Sequence, residues 1–141
     1  MNWNKFIPST EITNGITSVT VEFSKEFGKH LGTNDTEERD GKIRIKREKL
    51  TTNQLRKFFG EVKRQQMKSY NMADFILLKP KLAYAVGRAN GKDPKIKDFY
   101  KVISNAIDYV HDESTFRNFI KIFEAIVAYH KAAEENINLI D

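Results

Sequence analysis

The sequence predicts an all-α protein, a compact bundle of about five helices. Three observations predict it. Apolar residues recur every three or four positions through most of the 141 residues, the period of an amphipathic helix. Only 3 prolines and 7 glycines interrupt the chain, so turns are few and elements are long. Hydrophobic residues make up 40% and charged residues 30%, a balance that suits a folded helical domain better than a disordered one. The length fits one domain with a core that needs no staples.

Taken in order, Ile12, Ile16, Val19, Phe23 and Phe27 keep the helical step and predict a helix from about Asn14 to Leu31. β-branched Thr17, Val19, Thr20 and Val21 weaken it. "GTNDTEERDG", residues 32–41, has no periodicity and four acids, and reads as a flexible loop. Residues 1–41 are thus expected to form an acidic helix and loop, and residues 42–141 a helical core, within a single domain overall. "KIRIKREK" then alternates Ile43 and Ile45 with Lys42, Arg44 and Lys46. Extended geometry would bury the isoleucines and project the bases on one side.

Thr51 and Gln54 have the spacing of a capping box, and Leu50 and Leu55 that of a hydrophobic staple, so a helix starts here. Its inward face is predicted as Leu55, Phe58, Phe59, Val62 and Gln66. Asn53, Lys57, Arg64 and Lys68 fall opposite, with Arg56 and Lys63 on the flank. A short helix or turn near residues 74–78 should precede a helix with Pro80 as its first residue. Leu82, Ala85, Val86 and Ala89 form its stripe, and Asn90-Gly91 ends it. Gly87 reads as a point of close helix contact. Asp93-Pro94 starts the next helix, whose face runs from Ile96 to Val110. Asp112 or Ser114 caps the last one, whose face is Phe116, Phe119, Ile120, Phe123, Ile126, Val127 and His130. "FIKIFEAIVAYH" is apolar nearly all round, so this helix should be the buried centre.

Little in this chain looks like catalytic chemistry. Without cysteine there are no disulfides and no thiolate metal sites. Histidines stand at 30, 111 and 130, never at ligand spacing, and His130 reads as a packed or capping residue. "GRANGK" lacks the Walker pattern and no nucleophile elbow occurs. No catalytic residue, metal or cofactor is expected. Glu124, among apolar residues, reads as the partner of a base inside the bundle. No apolar run approaches the ~20 residues of a membrane span. The start, "MNWNKFIPSTEIT", lacks signal-peptide features, so a cytoplasmic protein is expected.

Charge carries the functional signal. The formal net charge is +5. Residues 1–41 contribute −3, residues 42–68 contribute +8 and residues 69–141 are neutral. Only Glu48 and Glu61 offset the ten cations of the middle segment, so i,i+4 pairing cannot neutralise them. Such concentration fits a polyanion, with nucleic acid foremost. Lys79, Lys81 and Arg88 add a second basic group, with Tyr84 between the last two. Tyr84 reads either as a half-buried packing residue or as an aromatic within a nucleic-acid surface. Charge alone leaves open a helix-turn-helix DNA-binding regulator, with Asn53, Gln54 and Arg56 at its reading end, and a basic protein adaptor.

Three blocks in order, "LTTNQLRKFF" (residues 50–59), "LKPKLAYAVGR" (78–88) and "FIKIFEAIVAYHK" (119–131), resemble the small subunit of type III-A CRISPR effector complexes, the Csm complexes. The resemblance covers roughly residues 42–131; the first 41 carry no matching motif. It implies a compact helical protein without catalytic activity. Copies would stack along the guide RNA–target RNA duplex and contact the backbone subunit and the large signature subunit. On the matched blocks, Arg56, Lys57, Lys79, Lys81 and Arg88 are the candidate RNA-binding residues. Lys49, Lys63, Arg64 and Lys68 join them on the helical-wheel argument alone. A subunit repeated along any guide must hold backbone rather than bases, which Lys and Arg on phosphate do. A protein built to stack is also expected to self-associate when isolated, as a homodimer.

Overall fold

The structure, a computed structural model, describes residues 9–135. Expectations that fall on residues 1–8 and 136–141 lie outside it. Gly15, with φ +118°, breaks the first helical stretch in two. Helix α1 spans Ser9–Asn14 and α2 spans Ser18–Leu31. Thr17, not Asn14, caps α2: its hydroxyl accepts from Val19 N at 3.2 Å, and Thr20 Oγ1 accepts from Thr17 N at 3.0 Å. Ile12, Phe23 and Phe27 are buried as expected. Ile16 and Val19 are exposed, because the break rotates them away from the stripe.

The predicted flexible loop is instead half of an antiparallel hairpin, β1 (Asp35–Arg39) and β2 (Lys42–Arg47). The fold is therefore mostly helical but not all-α. Asp40 and Gly41, φ +52° and +75°, make the two-residue connection, with the positive φ at both central positions that a type I′ turn requires. KIRIKR is extended as expected, and alternation puts Lys42, Arg44 and Lys46 on one face. Its isoleucines are not buried: Ile43 is 78% and Ile45 40% exposed. The hairpin is an excursion held at its base, not a strand laid on the helices. Leu50 N donates to Leu31 O at 2.8 Å, so the chain returns to where α2 ended. His130, 1% exposed, holds that junction by placing Nε2 2.5 Å from Leu50 O.

The capping box at Thr51 forms as predicted. Gln54 N donates to Thr51 Oγ1 at 3.1 Å and Thr51 N to Gln54 Oε1 at 2.8 Å, which opens α3 (Thr52–Gln66). Leu55, Phe58 and Val62 face inward. The fourth buried position is Gln65, not Gln66, because its amide reaches back to donate to Asp74 O at 3.2 Å. α4 (Met72–Ile76) is capped by Asn71 and runs through Leu77 into α5 (Leu78–Arg88). Pro80 is thus the third residue of α5, still in the first turn where its missing N–H costs nothing. α6 (Ile96–Ile107) begins after Asp93-Pro94, later than expected: Asp93 takes φ +37° and Pro94 and Lys95 are buried. Asp112, rather than Ser114, caps α7 (Glu113–Glu134), accepting from Thr115 N at 2.8 Å.

α7 is the central helix, against α1, α2 and α3, while α5 packs on α3, α4 and α6. A continuous run of rings builds the core. Phe75 meets Phe116 and Phe119 edge-on at 5.3 and 5.1 Å, and Phe123 joins Phe119 to Phe99 at 6.0 and 5.9 Å. α2 approaches α7 closely because Gly28 has no side chain: a Cβ there would lie 2.6 Å from Tyr129 Cβ and 2.8 Å from His130 N. The close contact sits here and not at Gly87, where an added Cβ would meet nothing within 4 Å among the described residues. Among the described residues, no helix is long and apolar enough to cross a membrane.

Candidate functional site

The nine basic residues singled out from the sequence divide between α3, α5 and the segments that flank them. Arg56 and Lys57 lie on the outer face of α3, exposed, where the capping box fixes the helix phase. Lys68 follows the end of α3 and is exposed. These three form no ion pair among the described residues. The others are engaged. Lys63 Nζ lies 3.3 Å from Glu124 and 5.4 Å from the Phe59 ring centre. Arg64 and Lys81 both bind Glu61, at 2.6 and 2.8 Å. Lys79 pairs with Asp108, and Lys49 sits 3.9 Å from Glu134. Arg88 places its guanidinium 5.6 Å from the Tyr84 ring centre.

Neutralisation therefore comes largely from across the fold, not from i,i+4 neighbours. Glu124, Glu134 and Asp108 are distant in sequence from their partners, and counting acids within residues 42–68 could not reveal them. Glu124 does pair with a base, but at the half-exposed surface rather than inside the bundle. Even so, Lys42, Arg44, Lys46, Arg56, Lys57 and Lys68 form no ion pair among the described residues. Surface pairs of the remaining kind are worth only about 0–1 kcal/mol and can exchange with another anion.

Lys57, Lys81 and Arg88 are brought together. They line one open groove between α3 and α5, with Asn53, Glu61 and Tyr84. The two helices pack together, Phe58 of α3 and Leu82 of α5 both buried in the core, which sets the outer residues side by side. Glu61 bridges the helices. Hydrogen bonds from Arg64 first, then from Lys81, hold its carboxyl at about 2. It stays anionic and fixes both cations. Tyr84 is 67% exposed, so it is not the half-buried packing residue that was one reading of it. Lys49, Lys63 and Lys79 do not line this groove. Lys42, Arg44 and Lys46 project from the hairpin as the extended reading of KIRIKREK expected, but the pairing of that strand with residues 35–39 was not foreseen, and Asp40-Gly41 was its signal.

A second polar cluster has a structural task. It joins the hairpin base to α2 and α6. Arg47 donates to Asp98 at 2.7 and 3.2 Å, and His30 Nε2 lies 2.7 Å from the same carboxylate. Lys95, fully buried, donates to His30 O and Asp35 Oδ1, each at 2.7 Å. Burial alone would raise the Asp98 pKa; hydrogen bonds from His30 and Arg47 overcome it and hold the carboxyl at about 2.

α3 is preceded by the hairpin and the connecting residues 48–51, not by a helix and a tight turn. The helix-turn-helix arrangement considered for it is not the one formed. No curated protein matches the chain, and no solved structure does. The family model described as Csm2 Type III-A matches residues 32–136, which span the hairpin and every helix from α3 to α7. The chain accordingly belongs to the Csm2 family, the small subunits of type III-A CRISPR Csm complexes.

Proposed function

We propose that this subunit is a non-catalytic RNA-binding component of its complex, holding guide RNA–target RNA in the cytoplasm through phosphate contacts that ignore sequence. The observation that carries the reading is the outer side of α3 and α5. There Arg56 and Lys57 stand exposed with no ion pair among the described residues, and Lys57 shares a groove with Lys81 and Arg88. Lys63, Arg64, Lys79 and Lys49 extend the positive surface, each held by a salt-labile pair, and Lys68 joins them with no ion pair among the described residues. Such contacts position a strand without reading it, as repetition along a guide demands. The backbone and large signature subunits are the protein partners proposed. Exposed Met67, Met72, Ile76 and Leu77 at the α3–α4–α5 corner support self-association of the isolated subunit, expected as a homodimer.

The deciding experiment replaces Arg56, Lys57, Lys63 and Arg64 together by Glu. Filter binding should show loss of RNA retention while circular dichroism shows unchanged helix content. RNA affinity of the unmodified protein should fall steeply with salt. Normal RNA loading by the quadruple variant, or a flat salt response, would end the phosphate reading of this face.

A further inference from the structure

The groove between α3 and α5 has features that phosphate contact does not need. Tyr84 presents a large aromatic ring to solvent, 67% exposed even with the Arg88 guanidinium 5.6 Å from its centre. A purely electrostatic surface would gain nothing from that ring, whereas bases stack on exposed aromatics and on guanidinium planes. Glu61 lines the groove as well, its carboxylate held by Arg64 and Lys81. A carboxylate there can accept from a base N–H or a ribose 2′-hydroxyl. Asn53 brings a carboxamide that makes no hydrogen bond among the described residues, able to donate and accept at a base edge. Lys57, Lys81 and Arg88 stand around these groups. The groove holds about 420 Å³, inside the ~300–1,000 Å³ of sites that take small ligands. That volume has room for a single nucleoside.

Building on the RNA-binding reading above, we propose that this groove is a base-binding subsite. An unpaired RNA nucleotide stacks its base on the exposed ring of Tyr84, and Lys57 and Arg88 take the adjoining phosphates. The subunit would then distinguish unpaired from paired RNA, which cations alone cannot do.

The test uses the full chain with two probes, a single-stranded RNA carrying one 2-aminopurine and an RNA duplex of equal length. Stacking on Tyr84 should quench the 2-aminopurine fluorescence. Tyr84→Leu should abolish the quench and weaken single-strand binding about tenfold, the cost of one lost base–aromatic stack. Tyr84→Phe should preserve both, and duplex affinity should be unchanged in all three proteins. The subsite is overturned if Tyr84→Leu binds the single strand as tightly as the unmodified protein, or if duplex binding falls equally. If the unmodified protein retains neither probe at low salt, the RNA-binding reading itself fails. Loss of stacking alone leaves that reading standing.

Discussion

Asp98 illustrates how one carboxylate can secure three elements. It receives Arg47 from the end of β2 and lies against His30 of α2, while sitting in the first turn of α6. Its side chain is 10% exposed, so neutralising it leaves the largely buried Arg47 guanidinium with only Asp93 as an anionic partner among the described residues. Asp98→Asn should destabilise the protein by about 2–3 kcal/mol, read as a lowered urea midpoint. The pH dependence has a definite sign. The folded carboxyl titrates at about 2, below the ~3.9 of an unfolded aspartate. Its contribution is complete above the unfolded value and is lost as pH falls toward 2, in total about 2–3 kcal/mol. Urea midpoints measured from pH 5 down to pH 2 should show that loss in the unmodified protein and a smaller one in Asp98→Asn. Nothing local in the sequence marks this residue, since its partners lie 51 and 68 positions away.

At the scale of elements, helix starts were legible because caps are local. Thr51 and Gln54 sit three apart, and their mutual bonds form as the spacing implied. Thr51→Ala should cost about 1 kcal/mol, measured by thermal unfolding. The hairpin was half legible: the alternation of residues 42–46 marked its second strand, while acidic composition hid the first strand and the Asp40-Gly41 turn between them. Helix approach was not legible at all. Gly28 and Gly87 look alike in the sequence, but only at Gly28 does a neighbouring helix fill the space of a Cβ. Gly28→Ala should therefore destabilise by about 1–3 kcal/mol through overpacking. Gly60→Ala in α3, with nothing within 4 Å, should stabilise by about 0.5–1 kcal/mol by relieving glycine's entropy cost. Differential calorimetry of the pair would show melting shifts of opposite sign.

For the whole molecule, the exposed apolar corner predicts that sedimentation of the isolated subunit finds a species of twice the chain's mass. Met72→Glu with Ile76→Glu should return it to a single chain without loss of helix content; an unmodified protein already monomeric would dismiss this contact. The basic surface was located by sequence, because net charge per segment survives folding. Which of its cations stay unpaired did not follow, because most of the acids that claim them, Asp108 after α6 and Glu124 and Glu134 in α7, are distant in sequence. That arrangement shapes how RNA uptake should respond to ionic strength. Glu61, Glu124, Asp108 and Glu134 serve as built-in counterions. A phosphate that displaces one of them liberates a tethered carboxylate instead of a salt ion. Only Arg56, Lys57, Lys68 and Arg88 would register fully. The logarithmic salt slope should lie near −3 rather than the roughly −6 expected of nine unpaired cations, at ~0.7 per single-strand phosphate. The protein would thus keep hold of its strand across a wider range of salt than its charge count suggests.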